Sequence, residues 1–248
     1  MPAPSNPKDA QRRNPELGAD LVGSVWCILL AAGSGQRFGS LKQFDPLGDG
    51  RVIDYAAVTA AAVCDGVVAV LPADSLATEN GVVPAASMVV AGGATRSESV
   101  RAGLMAVPTE AVVILVHDAA RPLATAELFT RVIETVRTGE AAVVPAIRVV
   151  DTIRSVEAGS SGSGSSGAGS SVIDRDLLRA VQTPQGFRAD LLRQAYVGSK
   201  EATDDAALVE ALGYQITLVD GERTNLKLTE FSDRVLAEAL LSSVRPSL

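Results

Sequence analysis

Histidine occurs once in this sequence, cysteine twice and lysine four times, and each scarcity closes off a class of function. The lone His117 rules out a zinc site built on clustered imidazoles. Cys27 and Cys64 both sit in apolar stretches and are too few for a disulfide framework. They read as small buried hydrophobes of a reducing compartment, so the expected location is cytoplasmic. No apolar run approaches the roughly 18 residues that a membrane span needs, so no membrane partner is expected. Met1–Asp20 is polar and contains proline, without the apolar core of a signal peptide; residues 1–24 read as a disordered tail. Positive charge is also in deficit. The net charge of -7 argues against non-specific binding to nucleic acid. The four lysines, Lys8, Lys42, Lys200 and Lys227, stand against eighteen arginines. A compact ammonium is not interchangeable with a guanidinium, so each lysine is worth locating.

What is present is a core. With 47% hydrophobic and 21% charged residues, residues 25–244 suit one globular domain. Short apolar runs read as strands at Val25–Ala31, Val67–Leu71, Met88–Ala91, Val112–Val116, Ala141–Pro145 and Ile216–Val219. Helical patterns lie between them at Val52–Val63, Arg96–Ala106, Ala126–Thr138, Arg188–Tyr196 and Asp204–Leu212. This alternation predicts an α/β fold: a mostly parallel, Rossmann-like sheet with helices on both faces and ligands beyond the carboxyl ends of its strands. One stretch interrupts it. Residues 158–171 are nearly all Gly and Ser and cannot pack a core. The β-prone segments on either side make residues 148–176 a two-stranded arm with a flexible tip, or, on the plainer reading, a linker between two domains.

Chemistry is therefore sought in the loops after strands. The first runs from Ala31 to Gln43 and contains Gly33, Ser34, Gly35, Arg37 and Lys42. Its glycines let successive N–H groups converge on phosphate oxygens. Arg37 can fork across two oxygens and Lys42 adds a point charge. A P-loop is excluded because Gly-Lys-Ser/Thr is missing, and a dinucleotide fingerprint lacks its third Gly, where Phe38 stands. The alternative is a Gly-rich turn. After the strand at Val112–Val116 comes His117-Asp118-Ala119-Ala120-Arg121-Pro122. An Asp in that place can hold a magnesium ion on phosphates, or simply cap a turn. His117 reads as a packed strand-end residue. Gly92–Ser99 can read a base edge through Gly93 and Ser99, or be a glycine turn with a capping box. Lys227, beside Asn225, otherwise reads as a surface lysine.

Taken in order, LAAGSGQR at Leu30–Arg37, Lys42-Gln43, Gly92–Ser99, VHDAARP at Val116–Pro122, Asp151-Thr152, Asp174-Arg175, Thr183-Pro184-Gln185, Thr203-Asp204 and NLKLT at Asn225–Thr229 resemble the 2-C-methyl-D-erythritol 4-phosphate cytidylyltransferase family. The first motif is common to nucleotidyltransferases; the ordered set is specific. The resemblance implies transfer of a cytidylyl group from CTP to a small polyol phosphate, with Mg2+ as cofactor. It implies that the amides of Ala31, Ala32 and Gly33, with Gly93 and Ser99, hold the cytidine, and that Arg37 and Lys42 hold the triphosphate. Asp118 would lie near metal and substrate. Arg121, Thr183, Thr203 and Lys227 would line the acceptor side, and Thr152 and Arg175 would arrive from the other subunit of a homodimer that exchanges arms. The sequence departs from the family at Ala94, where several relatives carry a carboxylate, at Leu41, where a Pro is frequent, and in its longer Gly/Ser tip. The alternatives are the same chemistry on ribitol 5-phosphate, an NAD-linked oxidoreductase using Gly33 and Gly35, and a non-catalytic nucleotide sensor.

Overall fold

The computed structural model describes residues 21–33, 41–156, 170–198 and 204–244. Its elements run β1 (Val25–Leu30), β2 (Pro46–Leu47), β3 (Gly50–Arg51), α1 (Val52–Val63), β4 (Gly66–Leu71), β5 (Met88–Ala91), α2 (Arg96–Ala106), β6 (Val113–Asp118), α3 (Ala126–Arg137), β7 (Ala142–Arg148), β8 (Ile153–Val156), β9 (Ser170–Ile173), β10 (Arg179–Val181), β11 (Gln185–Arg188), α4 (Ala189–Ala195), α5 (Asp205–Glu210), β12 (Ile216–Asp220) and α6 (Phe231–Val244).

Among the described residues, eight strands form one sheet. β5, β4, β1 and β6 lie side by side in parallel. β11 follows antiparallel to β6, and β7 then pairs antiparallel with β11 and β10. β12 runs parallel to β7 from Ile216↔Ala142 to Asp220↔Ala146. Because β11 also pairs with Ala142 and Val143, β11 and β12 occupy opposite edges of β7.

The central strands are continuous apolar runs because both faces of the sheet are covered. Side chains alternate along a strand. Cys27 and Leu29 of β1 therefore join α1 and α3, through Ile53, Ala57, Leu128, Phe129 and Val132. Ile28, between them, joins Val100 and Leu104 of α2, Leu192 of α4 and Val209 of α5. A third, smaller cluster sets Ala237 of α6 against Leu47, Val52 and Leu228.

The predicted parallel core is present, and α1 and α2 have the predicted bounds. The strand predicted to begin at Val112 instead spans Val113–Asp118, and the helix expected over Asp204–Leu212 is only Asp205–Glu210. Four strands, β2, β3, β10 and β11, and the helix α6 were not anticipated. β11 reads QGFR, a single large apolar residue with no alternation to betray it. Where a two-stranded arm was expected, β8 and β9 pair with each other, from Ile153↔Ile173 to Val156↔Ser170, and with no other strand among the described residues. Ser170 and Ser171 of the expected tip belong to β9; the remainder, like most of the N-terminal tail, lies outside the described residues. Among the described residues, no helix is long and apolar enough to cross a membrane.

Candidate active site

A cavity of about 500 Å³ opens at the carboxyl ends of β1, β5 and β6, where a parallel sheet of this kind binds ligands. Its walls include Ala31, Ala32 and Gly33 after β1, Lys42 and Gln43 on the next turn, Gly93–Arg96 and Ser99 at the start of α2, Asp118 and Ala120 after β6, and Lys227 after β12. Five separate sequence motifs thus meet in one place.

Each wall is held by identifiable bonds. The Ala31 N–H donates to the Val70 carbonyl at 2.8 Å, so of the three amides expected to face a ligand this one is committed to the sheet. Gln43 is 4% exposed, and its Nε2 donates to the Ala31 carbonyl at 2.7 Å and the Gly33 carbonyl at 3.3 Å. That side chain fixes where the glycine loop leaves the strand. Gly92 brings the opposite wall close, since a Cβ there would collide with the Ala32 side chain and lie 2.8 Å from Ser99 Oγ. The capping box read at Thr95 and Glu98 is present: Thr95 Oγ1 accepts from the Glu98 N–H at 3.1 Å, and Glu98 Oε2 accepts from the Thr95 N–H at 3.2 Å. Ser99 Oγ donates to the Thr95 carbonyl at 3.0 Å and accepts from the Gly93 N–H at 3.2 Å. The glycine turn and capping box are thus present, and the cap that starts α2 also shapes the cavity wall.

The charged groups face one another across the mouth. Lys227 Nζ lies 2.7 Å from Asp118 Oδ2, and Lys42 Nζ donates to the Leu228 carbonyl at 2.7 Å. Burial alone would push the Asp118 carboxyl up; the charge and hydrogen bond of Lys227, with Arg96 and Arg121 behind, hold it below the ordinary carboxylate value. Asp118 is thus an anion within a ring of cations. His117, one residue earlier, points to the other face. It is fully buried, edge-on to Phe129 at 4.9 Å, with Nδ1 3.0 Å from Thr183 Oγ1. Burial holds its pKa down to about 4, so the ring is neutral at physiological pH and is a packing residue, as the sequence suggested.

The remaining predicted residues fall into three groups. Arg121 and Thr183 border the site without lining the cavity. Arg121 donates to the Asn225 carbonyl at 2.7 Å, and Thr183 Oγ1 accepts from the Asp118 N–H at 3.1 Å. Thr152 and Arg175 are exposed on the arm, where Arg175 donates to the Val150 carbonyl at 2.5 Å; neither reaches the cavity of its own chain. Ser34, Gly35, Arg37 and Thr203 lie outside the described residues. Three residues that the site prediction omitted are now prominent. Gln43 carries the glycine loop. Arg96 lines the cavity and grips the wholly buried Asp205 with two bonds of 2.9 and 2.6 Å. Asn225 is fully buried behind Lys227. Their spacing to their partners gives no local signal, although all three lie inside the motifs named above.

Magnesium is compatible with this wall. Among the described residues, no group of three or more His, Cys, Asp or Glu side chains is placed to hold a metal ion. A hard cation bound chiefly by substrate phosphates needs only one or two protein carboxylates, and Asp118 lines the cavity.

The family model for IspD, 2-C-methyl-D-erythritol 4-phosphate cytidylyltransferase, matches residues 25–243. A protein of that name from Nocardia farcinica is 45% identical over 229 residues, covering 90% of this chain and 96% of the relative. Another from Streptomyces coelicolor is 40% identical over 230 residues, covering 88% and 85%. The crystal structure of the Thermus thermophilus protein of the same name superposes with a TM-score of 0.72 at 35% identity, covering 86% of this chain and 97% of that one.

Proposed function

The chain belongs to the 2-C-methyl-D-erythritol 4-phosphate cytidylyltransferase family, and from that premise we propose how its residues transfer a cytidylyl group from CTP to 2-C-methyl-D-erythritol 4-phosphate. The observation that carries the residue assignment is the single cavity wall shared by Ala32, Gly33, Lys42, Gly93, Ser99, Asp118 and Lys227.

A phosphate oxygen of the acceptor attacks the α-phosphorus of CTP. The bond from that phosphorus to the α,β-bridging oxygen breaks, and pyrophosphate leaves with the electron pair. The acceptor phosphate is already anionic, so no general base is required. The obstacle is repulsion between two polyanions, and catalysis rests on positioning and charge neutralisation. Ala32 and Gly33 with Ser34, Gly35, Gly93 and Ser99 hold the nucleoside, and Ala31, its amide bonded to Val70, contributes only to the cavity wall. Arg37 and Lys42 face the triphosphate and leaving pyrophosphate. Lys227 faces the incoming phosphate, kept in register by Asp118. Arg121, Thr183 and Thr203 order the acceptor side. Magnesium, held by Asp118 and the phosphates, would neutralise charge on the phosphate oxygens when bound.

The arm completes this reading. Thr152 and Arg175 serve the site of a second copy of the chain, in a homodimer. Val156, Val172 and Leu177, 69%, 60% and 82% exposed in the isolated chain, support an arm that packs on a partner. The two free cysteines suit a reducing cytoplasm.

Pyrophosphate release from CTP and magnesium tests the reading. Turnover is expected with methylerythritol phosphate and not with ribitol 5-phosphate. The reverse preference would select the alternative acceptor, and no release with either would overturn the assignment. Excess EDTA is expected to abolish turnover, and Asp118→Asn to raise the magnesium concentration needed for half-maximal rate.

A further inference from the structure

Lys227 follows β12 on a loop that belongs to no helix or strand, yet its ammonium must meet Asp118 from 109 residues away. What fixes that loop is a buried side chain two residues earlier. Asn225 is fully buried. Its Nδ2 donates to the Thr183 carbonyl at 2.9 Å and to Gln182 Oε1 at 3.3 Å. Both partners are acceptors, so the amide orientation follows from the bonds themselves. The Asn225 carbonyl in turn accepts from Arg121 at 2.7 Å and from Gln182 Nε2 at 3.3 Å. Gln182, 5% exposed, also exchanges two bonds with the Glu222 backbone, at 2.7 and 3.0 Å.

The circuit closes on the charged pair. Thr183, whose carbonyl receives the Asn225 amide, uses its hydroxyl oxygen to accept from the Asp118 N–H at 3.1 Å. Asp118 meets Lys227 at 2.7 Å, and the next residue, Leu228, donates its N–H to the Ala120 carbonyl at 2.8 Å. Asn225, Thr183, Asp118 and Lys227 therefore form a ring, with Gln182 bracing one side. The buried amide uses both its donors, while its Oδ1 has no hydrogen-bond partner among the described residues; turning the amide over would set that oxygen against the Thr183 carbonyl and Gln182 Oε1 and strand the donors as well, so the two donor bonds specify one geometry.

We propose that Asn225 is a positioning residue that sets the Lys227–Asp118 pair at the cavity mouth through its bonds to Thr183 and Gln182. The proposal rests on the reading of Lys227 as the cation facing the incoming phosphate. Asn225 touches no substrate; it acts by fixing where Lys227 stands when charge builds up in the transition state. Displacement of a catalytic group by about an ångström can cost on the order of a hundredfold in rate.

The test uses the full chain with CTP, magnesium and methylerythritol phosphate. Asn225→Ala is expected to lower kcat at least tenfold, with KM for CTP within twofold of wild type. In a Lys227→Ala background the same substitution should cost nothing further, because its effect runs through Lys227 alone. A loss that multiplies with that of Lys227→Ala, or a folded Asn225→Ala enzyme with wild-type kcat, would overturn the proposal. Should Asn225→Ala fail to fold, Gln182→Met keeps the bulk and removes the brace, and the same split and non-additivity are expected at smaller amplitude. A second readout needs no turnover. Trace acetylation with acetic anhydride, read by mass spectrometry, should label Lys227 several-fold faster in either variant, as its ammonium leaves Asp118. Unchanged labelling would count against the proposal even if the wild-type enzyme preferred another acceptor.

Discussion

Lys42 and His117 are the residues where one side chain decides a measurable property. Lys42 Nζ already points across the cavity to the Leu228 carbonyl, close to where negative charge would concentrate on a leaving pyrophosphate. Lys42→Ala is expected to reduce kcat by about a hundredfold or more, the usual loss of roughly 3 kcal/mol for one transition-state contact, while CTP binding, measured by calorimetry, changes far less. His117 controls stability instead. Its pKa is held at about 4 by burial, against about 6.5 in the unfolded chain. Between those values the unfolded chain binds more protons, so stability falls as pH drops from 6.5 to 4 and this contribution is constant below. The loss amounts to about 3 kcal/mol. Urea unfolding of wild type and His117→Gln across that range should show the difference between them shrinking in wild type's disfavour as the medium is acidified. Asp118, whose carboxyl is also held low, loses its stabilising charge on the same acid side, but it does so in both proteins and cancels.

At the scale of elements, the seam between α2 and α5 depends on one buried ion pair. Asp205 has no exposed surface and Arg96 keeps 30% of its side chain exposed, while the Tyr196 hydroxyl donates to the same carboxylate. The two partners are therefore unequal. Arg96→Met strands a carboxylate in the core and is expected to cost about 3 kcal/mol in urea unfolding; Asp205→Asn leaves a guanidinium that can turn to water and should cost less. An equal cost would mean that the pair is held by packing and not by charge. The same seam marks what the sequence can disclose. β1, β4 and β6 were legible because burial on two faces writes an unbroken apolar run, and α1 and α2 because their periodicity and, for α2, the Thr95–Glu98 box are local. β11 was illegible: its place between β6 and β7 follows from pairing with strands distant in the chain, and Gly186 fits there against Val132 and Val136. The candidate site divides likewise. Glycines, Lys42, Asp118 and Lys227 announce themselves by chemistry and motif. Asn225, Gln182 and Asp205 do not, because a polar residue that will be buried against a partner 43 or 109 positions away looks in sequence like any solvated one.

For the whole molecule, the difficulty is that a chain of net charge -7 must gather two polyanions. Within one chain the described cations at the cavity are Lys42, Arg96 and Lys227, and all three are already engaged, Lys42 by the Leu228 carbonyl, Arg96 by Asp205 and Lys227 by Asp118. An additional guanidinium delivered by another copy would relieve that shortage, and Arg175 stands exposed on an arm whose two strands, among the described residues, pair only with each other. Mixing two inactive proteins, Lys42→Ala and Arg175→Ala, distinguishes an arm that serves its own chain from one that serves its partner. In a mixed two-fold dimer with exchanged arms, one site combines the Lys42→Ala body with the Arg175→Ala arm and carries both lesions. The other combines an intact body with an intact arm. After random exchange at equal amounts about half the dimers are mixed, each with one good site, so activity should recover to roughly a quarter of wild type. If the arm serves its own chain, every site keeps one lesion and mixing restores nothing. Native mass spectrometry of the mixture supplies the control: mixed dimers present without recovered pyrophosphate release would rule out the shared site.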